Sequence, residues 1–157
     1  MQWQKNDYLI SDDTQLIQLD VVHEFLSHSY WAKDIPKDIV SRSIQNSLCF
    51  GLFTAESATQ ASDPAVPKTQ VGFARVVTDR ATIAYLGDVF VLPEHRGQGL
   101  SKWLMDCLMA HPDLQGLRRW MLFTADAHGL YEKYGFTSSA KPDRYLEIAR
   151  PGLYQKD

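Results

Sequence analysis

Asp88 to Ser101 reads DVFVLPEHRGQGLS. The run is strand-like through Leu92, then turns through Pro93, the charged trio Glu94-His95-Arg96, and glycines at 97 and 99. A helix follows, because Leu100, Trp103, Leu104, Cys107 and Leu108 recur at helical spacing until His111-Pro112 stops the pattern. A strand that enters a helix through Arg-Gly-x-Gly is an anion-binding arrangement. The unpaired amides of the first helical turn point at the ligand, the helix dipole favours negative charge, and glycine lets a phosphate approach the backbone. Nucleotide-binding alternatives fit poorly. The phosphate-loop pattern GxxxxGK[ST] is absent, and a dinucleotide fingerprint would need glycine where Lys102 stands and an acidic residue near Arg118-Arg119. Taken alone, the two glycines would equally serve a tight strand-to-helix turn.

Working outward, LCFGLFTA (48–55), TQVGFARVVTD (69–79) and TIAYLGDVFVL (82–92) read as strands, the last interrupted at Gly87-Asp88, where a bulge is expected. Before them come a short strand at Tyr8–Ile10 and two amphipathic helices. The first carries Leu16, Leu19, Val22 and Leu26, and the second starts at Pro36 with Ile39, Val40 and Ile44 inward. After the central helix, RRWMLFTA (118–125) predicts a strand buried in the sheet, DAHGLYEKYG a short helix capped by Asp126 and stopped by Gly135, and FTSSA with RYLEIA a closing hairpin. Residues 56–68 are polar and predict a mobile loop.

At 157 residues, 45% apolar and 22% charged, the chain predicts one domain, 1–157, with a core that needs no disulfide or metal. A formal charge of -3 argues against nucleic acid as partner. No signal-like start and no run of eighteen apolar residues is present, so no membrane association and a cytoplasmic location are expected. Cys49 and Cys107 read as buried thiols, and His23, His28 and His111 have no metal-ligand spacing, so no metal is expected.

A second segment, TADAHGLYEKYGF (124–136), presents Tyr131 and Tyr134 from a short helix. By themselves both tyrosines also fit the rim of a core. With the anion turn, the pair of motifs resembles the GNAT superfamily of N-acetyltransferases. Val91, Pro93, Arg96 and Gly99 match its first motif, with Ser101 in place of a final Gly or Ala. Ala127, Leu130, Tyr131, Gly135 and Phe136 match its second, with Thr124 at the Asn position. The resemblance implies an α/β fold: a mixed, largely antiparallel central sheet with splayed central strands and helices on both faces. It also implies acetyl-CoA as cofactor. The pyrophosphate would rest on Arg96, Gly97, Gln98, Gly99, Leu100 and Ser101, the pantetheine arm would lie along Val89, Phe90 and Val91, and Thr124 would contact the arm.

The implied reaction moves an acetyl group to a primary amine, expected to be a small molecule, by direct attack in a ternary complex, with Tyr131 as general acid. Asp88, at the strand bend, is the candidate base, although a carboxylate there would also cap bulge amides. Tyr85 is placed to orient a water, and Tyr30 and Trp31 to wall the amine site, where Trp31 would otherwise pack the turn between helices. Monomer and homodimer are both compatible. The alternative from a different class is a non-catalytic acyl-CoA-binding sensor or interaction module.

Overall fold

The computed structural model describes residues 1–56 and 66–156. Its strands are β1 (Gln2–Lys5), β2 (Tyr8–Ser11), β3 (Leu48–Glu56), β4 (Val66–Thr78), β5 (Ile83–Val91) and β6 (Arg119–Leu122), arranged in one sheet in chain order. Strands β1 to β5 are successively antiparallel, and β6 joins β5 in parallel. A parallel neighbour needs a crossover, which α3 (Leu100–Met109) supplies.

Successive strand residues face opposite sides of the sheet, so each strand feeds two cores. On one side, α1 (Leu19–Ser27) and α2 (Lys37–Gln45) bury Val22, Leu26, Val40 and Ile44 against Cys49, Phe73 and Phe90. On the other, α3 buries Leu104, Met105 and Leu108 against Phe50, Leu52, Ala74 and Leu86, and α4 (His128–Glu132) adds Tyr131. The expected mixed sheet with helices on both faces is therefore what the chain adopts.

Four expectations are corrected. The β1 strand is additional to the strands expected from the sequence, and it pairs with β2 through a turn where Asn6 has φ 52°. Leu16, expected on the first helix, lies in a short 3-10 turn capped by Asp13, and α1 begins at Leu19. The apolar run at 118–125 yields only four strand residues at the sheet edge, because among the described residues no strand pairs beyond β6. The closing hairpin does not form: Leu146 and Ile148 are each 90% exposed, and 145–149 carry no strand pairing. Alternating apolar residues make a segment compatible with a strand, but only a partner in register makes it one. Strands β3 and β4 run through Glu56 and from Val66, and the mobile loop expected at 56–68 otherwise lies outside the described residues.

A reciprocal clasp fixes the start of α1 on β4. The Gln18 amide donates to Gln70 Oε1 (2.7 Å), the Gln70 amide donates to Gln18 Oε1 (3.0 Å), and Gln70 Nε2 donates to the Gly72 carbonyl (3.1 Å). Gln70 is fully buried, so Gln70→Leu orphans buried polar groups; we expect a loss of about 1–3 kcal/mol in urea unfolding at an unchanged m-value.

Candidate functional site

The site begins where β5 leaves β6. The two strands pair only from Ile83 to Leu86, opposite Arg119 to Leu122, and among the described residues β5 continues alone on that side to Val91. The cause is local. On the other edge of β5 the register against β4 slips by one residue between Phe73/Phe90 and Arg75/Gly87, so that Asp88 and Val89 oppose Ala74. Asp88 takes φ 54°, the left-handed conformation that Asp tolerates better than most residues. This is a β-bulge, which bends its strand and ends regular pairing. The splay expected at Gly87-Asp88 is present.

Beyond the bulge, the Leu92 amide donates to the Val71 carbonyl of β4 (2.7 Å). Alternation then turns the backbone groups of Val89 and Val91 away from β4, into the gap left by β6, and those of Phe90 toward β4. Phe90 buries its ring against Phe25, stacked at 3.9 Å, which anchors the free stretch of β5 to α1. The Val91 carbonyl accepts a bond from Arg96 Nε (2.9 Å), so Arg96 braces the turn that follows.

In that turn a 3-10 segment, Pro93–His95, leads to Gly97 at φ 78° and Gly99 at φ 73°. Nothing lies within 4 Å of an added Cβ at either position, so the glycines are needed for their backbone conformation, and the space above them is open. Among the described residues, the amides of Gly97, Gln98, Gly99, Leu100 and Ser101 have no protein acceptor, and α3 starts there. A row of free amides on a ten-residue helix suits a pyrophosphate. Sequence reading passed over the brace behind it: Tyr8 Oη lies 2.9 Å from His95 Nδ1 and accepts from Gln98 Nε2 (3.3 Å), tying the turn to β2.

Across the gap, Tyr131 rises from α4. Its ring is buried and packs edge-on against Phe136, while its hydroxyl has no hydrogen-bond partner among the described residues and is not sealed from solvent. Burial, with the nearby charge of Asp126 and then Tyr30, pushes the phenol up to about 12, so it holds its proton at neutral pH. Helix α4 ends in a Gly135 turn, with the Phe136 amide bonding the Tyr131 carbonyl (3.3 Å). Thr124 Oγ1 accepts from the Ala127 amide (3.0 Å) in the turn before α4, whose N-cap position is Ala127 and not the expected Asp126. Tyr134 turns away from the gap, with Oη 2.6 Å from Asp106 Oδ1 and 2.9 Å from the Lys102 carbonyl, and locks α4 to α3.

Both carboxylate oxygens of Asp88 are engaged. Oδ2 accepts from Arg75 Nε (2.7 Å) and Oδ1 from Trp31 Nε1 (3.0 Å), with the Asp88 and Arg75 side chains only 12% and 19% exposed. Arg75 also donates to Ser47 Oγ (3.2 Å). The expected capping of bulge amides is replaced by an ion pair across the strands. Arg75 was missed at the sequence level, although its position among the apolar residues of VGFARVV is itself a signal, since a cation inside a buried strand calls for an anionic partner.

Tyr30 and Trp31, on the loop after α1, stand edge to face with ring centres 5.0 Å apart. Trp31 bonds Asp88 on β5, while Tyr30 Oη accepts from the Ala125 amide just past β6 (3.2 Å). The loop therefore bridges the two diverging strands. Tyr85, on β5 beside Gly87, meets Phe123, which in turn meets Tyr145, and burial with the Asp88 charge raises the Tyr85 phenol. The free stretch of β5 thus leads from an aromatic cluster of Tyr30, Trp31, Tyr85 and Phe123 to an open turn of free amides.

A bulged strand splayed from a parallel neighbour, running through a glycine turn into a helix and accompanied by a tyrosine-bearing helix after β6, is the arrangement that the resemblance to the GNAT superfamily implies. The model of the acetyltransferase (GNAT) domain matches residues 52–138, and the chain belongs to the GNAT family. A GNAT-family protein from Xanthomonas campestris pv. campestris is 52% identical, with a TM-score of 0.86 over 98% of this chain and all of its own. Among curated proteins, the putative acetyltransferase FG08082 of Gibberella zeae is 39% identical over 142 residues, covering 83% of this chain and 79% of its own. A Clostridium acetobutylicum protein solved with acetyl-CoA shares the fold at 16% identity, with a TM-score of 0.59 over 90% of this chain and 94% of its own.

Proposed function

We propose that this chain transfers the acetyl group of acetyl-CoA to a small primary amine by direct attack in a ternary complex. Acetyl-CoA is consumed in each turnover and supplies an acetyl group activated as a thioester. The observation that carries the reading is the free edge of β5, which ends in the free amides of Gly97 to Ser101, in one domain with the partnerless hydroxyl of Tyr131, which is close enough to Tyr30 of the bridging loop to feel its charge. Val89 and Val91 hold the pantetheine arm, Val89 through its outward backbone groups and Val91 through its amide, its carbonyl being held by Arg96, while Phe90 anchors the strand on Phe25. The turn from Arg96 to Ser101 holds the pyrophosphate, and the Thr124 hydroxyl lies along the arm. As the neutral amine nitrogen bonds the carbonyl carbon and the C–S bond breaks, Tyr131 gives its proton to the departing sulfur, and the proton shed by the new amide nitrogen returns through solvent at the open hydroxyl to restore the phenol. Tyr30, Trp31 and Tyr85 surround the amine.

Asp88 was the sequence-level candidate for the base. With one oxygen on a guanidinium and the other on an indole, it fits better as the residue that positions Trp31. Asn at 88 tolerates the same backbone and keeps an acceptor for Trp31. For a positioning role, Asp88→Asn retains kcat within about tenfold; for a proton-accepting role it loses about 10²–10⁴-fold. The overall reading is tested by thiol release from acetyl-CoA over an amine panel, with mass detection of the acetylated product. Acetyl-CoA binding without transfer to any amine would favour the sensor alternative.

A further inference from the structure

An open depression of about 750 Å³ lies between the bridging loop and the C-terminal run, with Tyr30, Ile148 and Leu153 on its walls 65%, 90% and 59% exposed. One wall is Tyr30 and Trp31, the two residues that bond the diverging strands. The facing wall includes Ile148 and Leu153, and the charged residues of the lining are Lys33 and Arg150. Among the described residues no Asp or Glu lines it, and neither cation has an ion-pair partner. Nearby carboxylates are turned elsewhere: Asp88 is neutralised by Arg75, and Asp34 lines the adjacent cavity with His23 and Lys156. In a chain of net charge -3, this is a cationic depression set against the overall sign.

Such a lining repels a plain ammonium ion and disfavours its charged form. An amine that also carries an anion is attracted as a whole, oriented by that anion, and presented with its nitrogen nearer the unprotonated state that attack requires. We propose that the acceptor is a primary amine bearing a carboxylate or phosphate group. Arg150 and Lys33 bind the anion, and the apolar part lies against Tyr30, Trp31, Ile148 and Leu153. The proposal rests on the amine-acetylation reading above. Arg150 is the stronger anchor, because its planar fork meets a carboxylate or phosphate with two parallel bonds.

The test uses the whole chain with acetyl-CoA and two matched pairs of amines, phenylalanine against phenethylamine and phosphoethanolamine against ethanolamine. In at least one pair the anionic member has the higher kcat/KM by about tenfold or more, the worth of a charge-assisted bond, and the larger ratio tells carboxylate from phosphate. In the Arg150→Gln, Lys33→Gln double variant that ratio falls toward one through KM, while the acetyl-CoA Kd, measured by calorimetry, reports that the fold is kept. A wild-type ratio of one or less in both pairs, or a ratio that survives the double substitution, overturns the proposal. Turnover of the neutral amines alone sinks this inference and leaves amine acetylation standing. Acetyl-CoA binding with no amine acetylated sinks both.

Discussion

Replacing Tyr131 with phenylalanine lowers kcat by about 10²–10⁴-fold, the usual worth of a positioned general acid, while the acetyl-CoA Kd stays within a few-fold. The asymmetry follows from where the hydroxyl sits. The ring is buried against Phe136 and stays so in phenylalanine, and the lost oxygen has no partner among the described residues, so little folding energy goes with it. Single-turnover kinetics beside calorimetry separates the two effects, and equal rates in the two proteins would exclude the phenol as the acid. The wild-type pH profile is a second check. A phenol held up at about 12 does not lose its proton between pH 7 and 10, so no alkaline fall in kcat over that range comes from Tyr131. The sign for stability is the reverse of a carboxylate's. The unfolded phenol ionises near 10.0 and the folded one near 12, so its contribution is complete below pH 10 and is lost as pH rises through 12.

Gly99→Val abolishes tight cofactor binding, raising the acetyl-CoA Kd about 100-fold or more, the equivalent of two lost charge-assisted hydrogen bonds. Two effects combine. A β-branched residue resists φ 73°, at roughly 1–2 kcal/mol, and its side chain fills the open space above the amides. Because no protein atom lies within 4 Å of the added Cβ, the fold survives, and the variant keeps its far-UV circular dichroism while calorimetry shows weakened binding. Gly99→Ala should fall between the two, since it keeps the backbone strain and adds a smaller obstruction. A wild-type Kd in Gly99→Val would mean that the pyrophosphate rests elsewhere.

The features read correctly from the sequence share a short range. The turn at 96–101, the periodicity of α3, the Gly135 stop and the bulge at Gly87-Asp88 each depend on residues within one or two helical turns. The misreadings also have a common form. RRWMLFTA looked central and RYLEIA looked paired because apolar composition reports that a segment can be covered, without reporting what covers it. Tyr30 and Trp31 were expected to wall a substrate site, and their hydrogen bonds to opposite sides of the gap could not be inferred from a loop read in isolation.

The chain's local chemistry therefore specifies a glycine turn with free amides, a buried phenol and a splayed strand, because positive-φ glycines, helical spacing and a bulge-tolerant Asp are properties of neighbouring residues. The environment of Asp88 required the folded chain. Its ion pair to Arg75 spans 13 residues, the indole bond from Trp31 spans 57, and the Tyr30 bond to Ala125 spans 95. The same holds for the cationic depression, which Lys33 and Arg150 both line from distant parts of the sequence. Contacts at such separations are set by the order and register of strands, and no local pattern of residues carries that information.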